Sequence, residues 1–325
     1  MALAPVVIVA GPTASGKSAL ALELAAAFAG TIINADSRQL YRDLPILSGC
    51  PDAAATARVP HRLYGILDAA ERASVADWRV LALAEIAAAH AARRVPILVG
   101  GTGLYLKALQ HGLAAIPPIP EAIRTEAELL YHTLGGAAFR ERLRALDPAA
   151  AARLPAADRY RLVRAFEVVR ATGVPIGQWR SGGRSGGQSG GQSGATETAP
   201  YRFGSILLMP PREALYANCD ARLCGMIANG ALAEVAALAE RGLAADLPAM
   251  QAIGVGELLR HRRGEMGLAE TVRLAQRATR RYAKRQMTWF RHQMTPDLLL
   301  TEKFSERLLH CSRHFIDRFL LTSQP

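Results

Sequence analysis

Lysine is almost missing from this chain: of its 39 basic residues only four, at positions 17, 107, 284 and 303, are lysine, and the rest are arginine. Cysteine is equally sparse. Cys50, Cys219, Cys224 and Cys311 form no CxxC pair, and the spacing of Cys219 and Cys224 suits neither a disulfide framework nor a zinc site. His310 and His314 share a helix face but have no further ligand beside them. No apolar run reaches the length that spans a bilayer, and "MALAPVVIVAGPT" enters a strand with no basic leader region and no cleavage site. These absences argue against a secreted or membrane-spanning protein, and the expectation is a soluble, cytoplasmic one. Acids are short as well, 28 against 39 bases, which leaves a formal net charge of +11. Arginine suits planar, bidentate partners such as phosphate, so this excess points to nucleic acid, although an Ala- and Arg-rich genome would leave the same imprint.

What the chain does have is apolar residues. They make up half of its 325 positions, enough to bury one large domain or two ordinary ones. "PVVIVA" (5–10) reads as a buried strand, "SALALELAAAFA" (18–29) as a helix, "TIINA" (31–35) as a second strand, residues 76–94 as a long helix and "VPILVG" (95–100) as a third strand. Strands alternating with helices imply a parallel sheet. The prolines of "IPPIPEAIR" (116–124) break that alternation, and only helices follow to about residue 180. The clearest, "DRYRLVRAFEVVRATG" (158–173), stops at Gly173 with Pro175 beyond it. "SGGRSGGQSGGQSGATETAP" (181–200) has the composition of a flexible loop. "YRFGSILLMP" (201–210) then reads as a strand rejoining the first sheet, and residues 213–241, 268–294 and 304–321 as helices. The expected organisation is a core begun in 1–116, a helical insertion domain in 117–180, the Gly/Ser/Gln loop in 181–200 and completion of the core in 201–325.

Gly11-x-x-x-x-Gly16-Lys17-Ser18 has the spacing of a P-loop and sits where that motif must, after a strand and opening a helix. The fold class expected is α/β, a P-loop NTPase-like parallel sheet flanked by helices, with the all-helical insertion added. The run Gly11, Pro12, Thr13, Ala14, Ser15, Gly16, Lys17, Ser18 would wrap a diphosphate in backbone N–H groups, aided by the positive end of the following helix. Lys17 adds charge, and the Ser18 hydroxyl can ligate Mg²⁺. A motor or switch ATPase usually has an acid at the end of a further apolar strand, yet "VPILVG" runs into "GGTG" (100–103) without one. The acid follows the second strand instead, Asp36 in "INADSRQLY". Carboxyl ends of parallel strands lie together, so Asp36 is expected to face the clamp; its plainer role is a helix cap or a surface loop. A held phosphate facing an acid favours group transfer over mechanical hydrolysis.

Taken together, "GPTASGKS", "INADSRQLY", "PHRLYGI", "VPILVGGTGLYLKAL", "DRYRLVRAFEVVRATGVPI", "LPAMQAIGVGEL" and "RRYAKRQMTWFR" resemble, in order and spacing, the bacterial tRNA dimethylallyltransferases over roughly residues 5–295. The resemblance implies transfer of a dimethylallyl group from dimethylallyl diphosphate to the exocyclic N6 of the adenine 3′-adjacent to the anticodon, in tRNAs that read U-initial codons. It implies Mg²⁺ as cofactor, the tRNA anticodon stem-loop as partner and a monomer away from membranes. Asp36, Lys17 and Thr13 would carry catalysis, with Asp36 as the base. Contacts to tRNA would come from Asp36, Ser37, Arg38 and Gln39, from Thr102 and Arg124, and from Tyr160, Arg161, Leu162, Val163 and Arg164. Thr102 could equally close a turn, and Arg161 and Arg164 could be a solvated helix face.

The far end of the chain can be read without the family. Arg273, Arg277, Arg280 and Lys284 follow one helical stripe with Arg281 and Arg285 beside it, and no acid falls between Glu270 and Asp297. A solvated face normally carries both signs, so phosphate contact is expected here; Trp289 and Phe290 read as core rather than as base-stacking residues. Three places depart from the family pattern: Ser48-Gly49-Cys50-Pro51 replaces Thr-Ala-Lys-Pro, Asn218 replaces an arginine, and Gly256 replaces a basic residue. A small-molecule kinase using ATP is the alternative, sharing the P-loop and the acceptor-side acid. A non-catalytic RNA-binding protein is a third reading, at odds with the intact Lys17, Ser18 and Asp36.

Overall fold

A computed structural model of the chain describes residues 3–181, 198–302 and 304–322. The Gly/Ser/Gln loop expected at 181–200 lies almost wholly outside the described residues. In chain order the elements are β1 (Ala4–Ala10), α1 (Lys17–Ala27), β2 (Gly30–Asn34), the short helices α2 (Pro45–Ser48) and α3 (Ala53–Arg58), β3 (His61–Arg62), α4 (Val75–Ala91), β4 (Val95–Gly100) and α5 (Gly103–His111). Four helices follow: α6 (Glu121–Arg144), α7 (Pro148–Arg153), α8 (Arg159–Thr172) and α9 (Ile176–Ser181). The chain continues with β5 (Tyr201–Leu208), α10 (Arg212–Ala228), α11 (Ala231–Glu240), α12 (Val255–Arg262), α13 (Leu268–Gln293), β6 (Leu298–Leu300) and α14 (Glu306–Leu321). It divides into two compact units, Met1–Gln110 with Ala199–Pro325, and His111–Thr198.

The first unit is built on one six-stranded sheet of order β3-β2-β4-β1-β5-β6, in which every pair is parallel. Its strands are buried on both faces, which is why β1 reads as a continuous apolar run rather than an alternating one. Successive β1 side chains still point to opposite sides. Val6, Ile8 and Ala10 join the cluster that holds Trp78 and Phe290, while Val7 and Val9 join the one under α1 and α14. In register, Ala10 pairs with Gly100 and Asn34 with Val99. The carboxyl ends of β1, β4 and β2 therefore finish level, and the loops that leave them emerge side by side. β4 stands between β1 and β2, so the loop at 101–102 is interposed between the phosphate loop and Asp36.

The stretch 213–241, expected as one helix, is two. α10 and α11 meet at a 66° bend, and the chain turns at Gly230, whose φ is 104°. β3 and β6 have only two and three residues, too short to show a pattern. Among the described residues no single helix is long and apolar enough to cross a membrane.

Among the described residues, the second unit contains helices and no strand. α8 starts at Asp158, whose carboxylate accepts from Arg161 N–H, and ends at Gly173 in the left-handed region. Asp147, 1% exposed, accepts from Ala150 N–H at 2.9 Å and Ile176 N–H at 3.1 Å. One carboxylate thus caps α7 and holds the start of α9. Phe139, Leu162, Val163 and Phe166 pack in the centre of this unit.

Candidate active site

The phosphate loop leaves β1 at Gly11 and enters α1 at Lys17. Ser15 is 2% exposed, and its hydroxyl has no hydrogen-bond partner. A buried hydroxyl without a partner is costly, and here it belongs to a loop shaped to surround an anion. Lys17 is 8% exposed, with Nζ 3.4 Å from the Pro12 carbonyl. Burial lowers its pKa from 10.5 to about 8, against the pull of the Asp36 carboxylate in the other direction and with the help of the Arg222 charge. A lysine so poised gains much from a phosphate beside it.

Asp36 is fixed by the end of β2. Asn34 is fully buried, and its amide accepts from Asp36 N–H at 2.8 Å and donates to the carbonyls of Asp36 and Leu63 at 3.0 and 2.9 Å. Trp78 Nε1 donates to Asn34 O at 2.9 Å and locks the same turn from below. One Asp36 oxygen accepts from Arg38 N–H at 3.0 Å. Beside it, the Thr102 hydroxyl accepts from Ser37 N–H at 3.1 Å, while Thr102 N–H donates to Ala35 O at 3.3 Å. Thr102 does close a turn, and the turn it closes carries Asp36.

Arg222 of α10 was missed in the sequence, and it completes the site. Its guanidinium donates to the Thr13 hydroxyl at 3.2 Å and to Ser48 O at 3.3 Å. The departure at Gly49 explains its seat: a Cβ there would lie 1.8 Å from Arg222 Nη2. Asn218, one turn earlier, lends its amide to Ala14 O at 3.4 Å, so it supports the loop without charge. Cys50 lies 3.3 Å from the Ser48 hydroxyl, and burial raises its pKa, keeping it a neutral thiol. A side chain at Gly256 would meet nothing within 4 Å, and its change from the family pattern has no visible consequence.

One cleft is lined by the polar Thr13, Asp36, Arg38 and Arg222 together with the apolar Leu47, Leu223, Met226 and Ile253. Tyr282 of α13 also lines it, and its hydroxyl is within reach of Thr102. Burial, then the Asp36 charge, push the Tyr282 pKa upward, so it remains a neutral phenol. Thr13 of the phosphate loop, the Asp36 carboxylate and apolar side chains therefore line one space.

The residues expected to contact tRNA occupy different settings. Gln39, 9% exposed, donates its amide to Ser48 O and Gly49 O at 3.2 and 2.7 Å and holds the loop that seats Arg222. Arg38 donates to Pro248 O. Leu162 and Val163, 0% and 4% exposed, lie in the core of the helical unit, on the inward face of α8. Tyr160 is 63% exposed, and Arg161 and Arg164 stand on the surface beside Asp158 and Glu167 of their own helix. Arg124 is exposed too, with Glu121 at 3.9 Å.

α13 has two faces. Arg273, Arg277, Arg281, Lys284 and Arg285 are exposed, whereas Gln286, Met287 and Phe290 are buried. Arg280 leaves the expected stripe, because both oxygens of Asp220 on α10 hold its guanidinium at 2.7 and 2.6 Å. Phe290 is 0% exposed, and Trp289 packs edge-on against it with a centroid separation of 5.4 Å.

The family model for IPP transferase matches residues 39–293. The tRNA dimethylallyltransferase of Rhodospirillum centenum is 55% identical over 290 residues, 89% of either chain. That of Rhodospirillum rubrum is 51% identical over 317 residues, 98% of this chain and 94% of its own. The full-length tRNA isopentenylpyrophosphate transferase of Bacillus halodurans superposes with a TM-score of 0.69 at 32% identity, over 98% of this chain and 97% of that one. A eukaryotic dimethylallyltransferase acting on tRNA has the same fold, with a TM-score of 0.79 at 24% identity over 97% of this chain and 80% of its own. On this match over most of its length, the chain belongs to the IPP transferase family.

Proposed function

We propose that this enzyme moves a dimethylallyl group from dimethylallyl diphosphate to N6 of the adenine 3′-adjacent to the anticodon of tRNA, releasing diphosphate. The observation that carries the reading is the shared cleft, whose lining of Thr13 from the phosphate loop, Arg222, Asp36 and apolar side chains suits the three parts of the reaction. The donor's diphosphate lies in the loop, where Lys17, Arg222 and the backbone N–H groups stabilise the charge that grows as it leaves. The five-carbon tail lies along Leu47, Leu223, Met226 and Ile253.

An adenine amine is a weak nucleophile because its lone pair is delocalised into the ring. Asp36 takes its proton as the carbon–nitrogen bond forms, a role worth about 10²–10⁴-fold in rate. The base reaches the cleft by leaving the anticodon stack. The exposed cations of α13 hold the tRNA backbone, as do Arg124, Tyr160, Arg161 and Arg164 of the helical unit. The enzyme acts as a monomer in the cytoplasm.

Mg²⁺ fits the residues present. Among the described residues no three His, Cys, Asp or Glu side chains gather to hold an ion. The hydroxyl of Ser18, exposed at the start of α1, would hold the ion beside the phosphate loop. When bound, the ion neutralises charge on the leaving diphosphate.

Incubation with labelled dimethylallyl diphosphate, Mg²⁺ and total tRNA tests the reading. Label in adenosine and equimolar pyrophosphate without ATP are expected. ATP hydrolysis with no label in tRNA would favour the kinase.

A further inference from the structure

Gln286 is a buried polar residue on a helix whose opposite face is basic. It is 6% exposed, and both ends of its amide are used. Oε1 accepts from Thr13 N–H at 2.8 Å, and Nε2 donates to Gly101 O at 2.9 Å. Thr13 N–H can only donate and a carbonyl can only accept, so the partners fix which way the amide points. The fit is close: a Cβ on Gly101 would lie 2.3 Å from Nε2. Thr13 belongs to the phosphate loop, and its hydroxyl receives Arg222. Gly101 precedes Thr102, whose hydroxyl holds Ser37 beside Asp36. Between these two loops stands a single side chain of α13, one turn beyond Tyr282.

We propose that Gln286 is a positioning residue for the transfer, setting the separation between the diphosphate loop and the 101–102 loop, on which the turn that carries Asp36 is braced. This rests on the prenyl-transfer reading above. Through it, the helix whose outer face meets tRNA also fixes the donor site. Replacing the amide leaves a buried N–H and a buried C=O without partners, and the loops shift to recover them. In a transfer reaction small displacements are expensive, because donor carbon, leaving oxygen and attacking nitrogen must stay aligned.

The experiment uses Gln286→Met, which keeps length and removes both bonds, and Gly101→Ala, whose Cβ would meet the amide at 2.3 Å and the Gly11 carbonyl of the phosphate loop at 3.0 Å. It also uses their double variant, with each protein verified as folded below its melting temperature. Single-turnover rate, tRNA affinity with its salt dependence, and binding of inorganic pyrophosphate are measured. Each single variant is expected to lose about 10²-fold in rate, the cost of a misplacement near 1 Å, and to bind pyrophosphate several-fold more weakly. Affinity for tRNA and its salt slope stay within about twofold of the parent. The double variant loses less than the two single losses multiplied together, since both disturb the same bridge. A folded Gln286→Met or Gly101→Ala protein with parental rate and pyrophosphate affinity would overturn the proposal, as would additive losses in the double variant. Pyrophosphate binding requires no prenyl transfer, so a parent that fails to label tRNA refutes the reaction while this measurement still judges Gln286.

Discussion

Lys17 and Arg222 sit within the first unit, one against the Pro12 carbonyl and the other across Thr13 and Ser48, whereas Arg273, Arg277, Arg281, Lys284 and Arg285 stand out from α13 into solvent. Both groups suit phosphate, but the physics of the two is different. A charge held in low dielectric at a fixed point acts strongly on charge that develops beside it. Exposed charges are screened and adjustable, and act by their number through release of counterions. The first arrangement suits a leaving group, the second a polymer backbone. Arg280 belongs to neither, being committed to Asp220.

The largest effect is expected where the buried group meets the reacting atoms. Asp36→Asn should lower single-turnover rate by about 10²–10⁴-fold with tRNA affinity little changed, because an amide still accepts a hydrogen bond from the adenine amine. Arg222→Ala should cost about 10²–10³-fold, the usual loss of one preorganised donor. Arg222→Lys should recover only part, since an ammonium cannot reach Thr13 and Ser48 together. Gly49→Ala should resemble it, by excluding the guanidinium.

Acidity separates the two cation groups further. The Lys17 pKa is lowered to about 8, and a bound diphosphate favours its charged form. Above that pH the ammonium must regain a proton as donor binds, so donor affinity should fall by up to about tenfold per pH unit. Binding of tRNA, which does not depend on Lys17, should stay flat over the same range. The smallest effects lie on α13. Arg277→Ala and Arg281→Ala should each reduce the salt slope of tRNA binding by about one unit. Arg280→Ala should leave that slope alone and lower stability by roughly 0–1 kcal/mol, as expected for a half-exposed pair.

What could be read in the sequence was local. The phosphate loop, Asp36, the exposed stripe of α13 and the long strands all follow from neighbours within a turn or a strand. Arg222, Tyr282 and Gln286 could not be found that way. Arg222 and Thr13 are 209 positions apart, and Gln286 and Thr13 are 273 apart. Nothing near them in the chain announces the meeting. Gln286 lies in "AKRQMTWFR", a stretch that stood out for its basic residues, and its burial among them was the available signal. Arg280 looked like its neighbours because Asp220 comes from another helix. The bend at Gly230 was hidden by helix-forming residues on both sides, although Asn229-Gly230 is a usual helix stop.

The division of labour between the two cation groups is tested most directly by measuring donor and tRNA affinity across a salt series, in the parent and in Arg277→Ala/Arg281→Ala. The account predicts a steep salt slope for tRNA that shrinks by about two units in the double variant, beside a donor affinity that is unchanged. Equal losses of donor and tRNA affinity in that variant would contradict it.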